Sequence, residues 1–110
     1  MFEKFPLYAQ ENDSDPVIVA KLFDAYGSAT WYLTEYDPAE QLAFGYVTGM
    51  ACDEWGYVSL KELEELRHPA LGLRRIEQDL YFNQKRFSAL GLKKAYWKRI
   101  SARATWLIIR

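Results

Sequence analysis

The chain has 110 residues, of which 50% are hydrophobic, 16% aromatic and 26% charged, and its formal net charge is −1. That length and apolar content support one packed core and exclude a chain disordered along its body. One cysteine, Cys52, and one histidine, His68, exclude an internal disulfide and a Cys/His metal cluster.

The opening stretch, "MFEKFPLYAQENDSDP", lacks the long apolar core of a signal peptide. No later run approaches the roughly 18 apolar residues of a membrane span, so a cytoplasmic protein with no membrane partner is expected. "PVIVAKLF", Pro16 to Phe23, is a β-branched run that predicts one strand. After the turn "DAYGS", "ATWYLTEY" predicts a second over Ala29 to Tyr36. Its period of two sets Trp31, Leu33 and Glu35 on one face and Thr30, Tyr32, Thr34 and Tyr36 on the other. Asp37 and Pro38 turn the chain again. "LAFGYVT", Leu42 to Thr48, and "EWGYVS", Glu54 to Ser59, predict the third and fourth strands.

Then the period changes. Leu60, Leu63 and Leu66 recur at helical spacing, and Ser59 with Glu62 forms a capping box. This predicts a short helix over about 59–67, with His68 at its C-terminal end and Pro69 stopping it. "RRIEQDLYF", Arg74 to Phe82, alternates once more and predicts a fifth strand, with Ile76, Leu80 and Phe82 facing inward and Glu77, Asp79 and Tyr81 outward.

The tail has a different charge. Residues 1–82 hold all 15 acidic side chains against six basic ones, a net of −9, whereas residues 83–110 hold eight basic side chains and no acid. From about residue 92 the periodicity predicts a helix. Tyr96, Ile100, Ala104 and Leu107 share an apolar arc with Trp97 and Ile108, and Lys94, Lys98, Arg99 and Arg103 lie outside it. An edge strand over "TWLIIR" is the alternative, which periodicity alone does not decide. The expected fold is a single α+β domain over 1–110. It comprises a mostly antiparallel sheet of about five strands with helix on one face, the short helix, and a basic amphipathic C-terminal helix within the tail 84–110.

Over residues 15–83, "PVIVAKLF", "ATWYLTEYDP", "FGYV", "GYVSLKELEELR" and "GLRRIEQDLYF" together resemble an uncharacterised family of short bacterial proteins. That family is known only as a domain of unknown function and is often carried on plasmids, phages and other mobile elements. Gln78 stands where the family usually has arginine, and the "VTGMACDEW" loop departs from its Gly- and Leu-rich version. The resemblance implies a fold and a genomic setting and brings no activity with it.

Three functional readings follow from the residues. Tyr32, Tyr36, Tyr46, Tyr57 and Tyr81 are interspersed with Glu35, Asp37, Asp53, Glu54, Glu77 and Asp79, which predicts a tyrosine-rich acidic face for binding a basic protein surface. With the resemblance, this makes the chain a non-enzymatic accessory protein of a mobile element. Its partner would be a host or element-encoded protein, and inhibition of a host defence system such as CRISPR-Cas is one version. A second reading has Lys93, Lys94, Lys98, Arg99 and Arg103 bind phosphates while Trp97 stacks on an unpaired base. A third makes the chain a small hydrolase working through Glu35, Glu77 or Asp79. No nucleophile–base pair or phosphate loop is visible, so no catalytic residue, metal ligand or cofactor is assigned. A monomer or a homodimer fits.

Overall fold

The structure, a computed structural model, describes residues 1–92. The expected C-terminal helix therefore lies outside the described residues, as do Lys93, Lys94, Trp97, Lys98, Arg99 and Arg103. Among the described residues seven strands form in chain order: β1 Val17–Ile18, β2 Ala20–Asp24, β3 Thr30–Asp37, β4 Leu42–Thr48, β5 Glu54–Ser59, β6 Ile76–Gln78 and β7 Lys85–Arg86. One helix, α1 at Leu60–Glu65, precedes β6, and a 3₁₀ turn at Phe87–Leu90 follows β7. The main sheet is antiparallel in the order β5-β4-β3-β2-β6, and β1 pairs with β7 in a small separate ladder. The described residues are thus mostly antiparallel sheet with little helix.

The expected strand over Pro16 to Phe23 is two strands with different partners. Val17 and Ile18 pair with Arg86 and Lys85, while Ala20 to Phe23 pair with β3. Between them the Val19 N–H donates to the Leu33 carbonyl at 2.8 Å. Ile18, Val19 and Ala20 are all buried, so the run is covered on both faces and shows no alternation.

A β-bulge in β3 decides which residues face which way. Leu33 pairs with Gly45 and Glu35 with Phe44, leaving Thr34 as the extra residue. The side chains beyond it therefore swap faces. Tyr36 joins the cluster of Trp31, Leu33, Ala43, Val58 and Ile76, over which Phe2, Leu60 and Leu63 pack. Glu35 turns to the opposite face, where Phe44, Tyr46 and Trp55 pack under Ile18 and Phe87. The expected grouping of Glu35 with Trp31 and Leu33 is corrected accordingly.

The aromatic side of the core has defined geometry. Phe44 and Trp55 stack with ring centroids 5.9 Å apart, and Phe87 meets Tyr46 edge-on at 5.0 Å. Gly45 sits under this layer because a Cβ there would collide with the Tyr32 carbonyl oxygen and lie 2.9 Å from Leu33 Cα.

Helix α1 starts as expected: the Ser59 hydroxyl accepts the Glu62 N–H at 3.2 Å. It stops earlier, at Glu65, and His68 belongs to the loop beyond it. There Nδ1 of His68 accepts the N–H of Ala70 at 3.2 Å and of Leu71 at 3.0 Å, and its ring meets Tyr26 at 4.5 Å. The fifth predicted strand is also shorter, ending at Gln78. The Tyr81 N–H donates to Asp79 Oδ1 at 3.0 Å and the Phe82 N–H to the Asp79 carbonyl at 3.2 Å, which turns the chain and leaves Leu80 81% exposed instead of inward.

Candidate functional site

Among the described residues strand β5 is an edge of the main sheet, and of the eleven residues expected to form a tyrosine-rich acidic face Asp53, Glu54 and Tyr57 lie on or beside it. The loop before β5 is tied by Asp53, which accepts the Gly49 N–H at 3.1 Å, and by Ser28, whose hydroxyl donates to the Gly49 carbonyl at 2.6 Å. Between this loop, β5 and α1 lies a groove of about 480 Å³. Trp31, Val47, Val58 and Leu63 give it an apolar floor, and Met50, Cys52, Glu54 and Glu62 are exposed around it. Neither Glu54 nor Glu62 is in an ion pair among the described residues. The result is a greasy trough with an anionic rim beside a strand edge that has no partner strand among the described residues.

Two neighbouring groups bear on its electrostatics. The Tyr46 phenol is pushed above its ordinary value, first by burial and second by the charge of Asp53, and so stays protonated. The Trp55 indole N–H is buried and has no hydrogen-bond partner among the described residues.

The remaining expected site residues do not assemble into one face. Glu35 is fully buried: Oε1 accepts the Tyr8 N–H at 2.5 Å and Oε2 the Gln10 N–H at 3.0 Å. Its carboxylate organises the N-terminal segment and has no surface to offer a partner. Gln10 completes the clamp by donating to the Val17 and Thr34 carbonyls and accepting the Val17 N–H. Tyr32 and Tyr57 are half-buried on the Phe44 face, where Tyr57 packs on Phe44 at 5.0 Å. Tyr36 packs on Phe2 on the other face, and Asp37 accepts the Ala39 N–H within its own turn. Glu77, Asp79 and Tyr81 lie at the opposite edge of the sheet, on and after β6. There Asp79 pairs with Lys21 at 3.7 Å and Tyr81 is 94% exposed.

Of the three carboxylates in the hydrolase reading, Glu35 spends its two oxygens on backbone N–H groups, Asp79 pairs with Lys21, and Glu77 lines a cavity of about 340 Å³ with Leu22, Leu63 and Arg74. Among the described residues no group of three or more His, Cys, Asp or Glu side chains is placed to hold a metal ion. Nor is any helix among them long and apolar enough to cross a membrane.

A feature missed from the sequence is the loop after α1, where Leu66, Leu71 and Leu73 are exposed around His68. Helical spacing put Leu66 on one stripe with Leu60 and Leu63, and the early stop of α1 takes it out of that stripe.

A family described as a protein of unknown function, DUF2958, matches residues 1–98. The chain belongs to this family. Comparison with curated proteins and with solved structures gave no match. The DUF2958 match reaches further than the resemblance over 15–83. It includes Tyr8 and Gln10, the residues whose N–H groups hold Glu35.

Proposed function

We propose that this DUF2958 chain is a non-enzymatic binding protein that captures a basic segment of a partner protein in the groove beside β5. The observation that carries the reading is the pairing of an apolar floor with the carboxylates of Glu54 and Glu62, neither in an ion pair among the described residues. Exposed carboxylates around an apolar trough favour lysine or arginine at the rim and an aliphatic side chain beneath. The sequence resemblance supplies a setting for the proposal: a bacterial mobile element whose product binds a host or element-encoded protein. A defence protein that grips nucleic acid through a basic surface is a natural target, because that surface has the charge this rim complements.

The test is affinity capture from host lysate with the full-length chain and with a Glu54→Lys, Glu62→Lys double variant, each after nuclease treatment. Prey retained by the native chain and lost from the variant supports the reading. Prey lost to nuclease in both moves the interaction to nucleic acid and to the basic residues from Lys93 onward.

A further inference from the structure

Two glycines stand opposite each other in the main sheet, Gly45 in β4 and Gly56 in β5. Gly45 is required by crowding, as described above. At Gly56, apart from its own two chain neighbours, no atom of the described residues lies within 4 Å of where a Cβ would be, and its φ is outside the left-handed region. Neither packing nor backbone conformation among the described residues asks for glycine there. Glycine also weakens a strand interior, and a recurring reason for its use is the close approach of another backbone or a ligand.

Register shows what the missing side chain leaves behind. Val47 pairs with Glu54, Gly45 with Gly56 and Ala43 with Val58, so Glu54, Gly56 and Val58 share the face of Trp31 and Val47. Gly56 is thus a notch in that face, and it lines the groove together with Trp31, Val47 and Val58. As a sheet edge, β5 also carries a row of outward N–H and C=O groups with no partner strand among the described residues.

We propose that the partner segment joins the sheet as a further strand alongside β5, placing one aliphatic side chain in the Gly56 notch and a lysine or arginine two residues away opposite Glu54. This rests on the reading of the groove as a protein-binding site and adds the mode and the side-chain pattern. Strand addition supplies the edge hydrogen bonds, and the period of two puts alternate side chains of the guest on the groove face. The recognised pattern is therefore basic, any residue, aliphatic.

The probe is a fluorescein-labelled nonapeptide, KTVTKTVTK, titrated against the full-length chain by fluorescence anisotropy. Its controls are ETVTETVTE and two versions N-methylated at every other residue, one for each phase. The lysine peptide is expected to bind, and one N-methylated phase to lose about tenfold or more in affinity, as loss of edge hydrogen bonds implies. Gly56→Val fills the notch with a better strand former, so its thermal midpoint should equal or exceed the native one while affinity falls about tenfold or more. If the lysine peptide binds and is weakened by Glu54→Lys, but both N-methylated phases and Gly56→Val bind like the originals, strand addition is wrong and the acidic groove stands. Should the lysine peptide bind no better than the glutamate peptide, the groove reading itself fails.

Discussion

Asp15 holds Ser88 with both of its carboxylate oxygens, one accepting the backbone N–H at 2.8 Å and the other the hydroxyl at 2.7 Å. The pair ties the segment before β1 to the 3₁₀ turn that delivers Phe87 to the core, and beside it the Phe87 N–H donates to the Pro16 carbonyl at 2.8 Å. The Ser88 hydroxyl first, and the Ser88 N–H second, hold the Asp15 carboxyl below its usual value. A carboxyl lowered in the folded state contributes stability above its unfolded value and loses it as pH falls through the folded value. Urea denaturation at about pH 6 and about pH 3 should therefore show a larger acid loss in the native chain than in Asp15→Asn.

Replacing Glu35 with glutamine tests the N-terminal clamp. One of the two N–H groups from Tyr8 and Gln10 would then face an amide NH₂, leaving buried donors opposed. The expected cost is on the order of 3 kcal/mol, read as a drop in the urea midpoint with an unchanged slope. An unchanged midpoint would show that the clamp is dispensable.

Nδ1 of His68 anchors the leucine-bearing loop by accepting the Ala70 and Leu71 N–H groups. The loop therefore depends on an acceptor at that position. Tyr26 packs on the ring, and Arg67 and Arg74 bridge the two sides of the loop. In His68→Ala, hydrogen exchange at the Ala70 and Leu71 amides should lose protection relative to the strand amides of β3. His68→Asn keeps an acceptor near the same position and should retain much of that protection.

Phe87→Ala removes the ring that closes the aromatic layer over Tyr46 and Trp55. A buried phenylalanine deletion costs about 3–5 kcal/mol. Thermal unfolding should register that loss, and near-ultraviolet circular dichroism should weaken as the surrounding rings lose fixed packing.

Strands β4 and β5 and the Ser59 cap were legible in the sequence with their observed residues, because alternation and capping chemistry are local. The bulge was not. An extra residue at Thr34 leaves the composition of "ATWYLTEY" untouched and is visible only once Phe44 stands opposite Glu35. Similarly, the break at Val19 depends on β7, a partner too short and too polar to announce itself. Around the groove, Asp53, Glu54 and Tyr57 were picked out by charge and aromaticity, whereas the notch at Gly56 needed the register that sets it against Gly45. Leu80 was misplaced because the alternation of "RRIEQDLYF" continues past the point where Asp79 turns the chain.

The β1–β7 ladder has a consequence for how the molecule comes apart. Strands β2 to β5 are joined to their sequence neighbours and form a meander whose contacts close over short stretches of chain, which favours early formation. Val17 beside Arg86 is a contact across most of the described sequence, closed late and at a large entropic cost. Its loss, with that of the Asp15–Ser88 pair, releases the segment after β6, whereas Glu35 and the Thr34 carbonyl still hold Tyr8 and Gln10 on β3. A protease should therefore cleave after β6 first and leave the clamped meander intact.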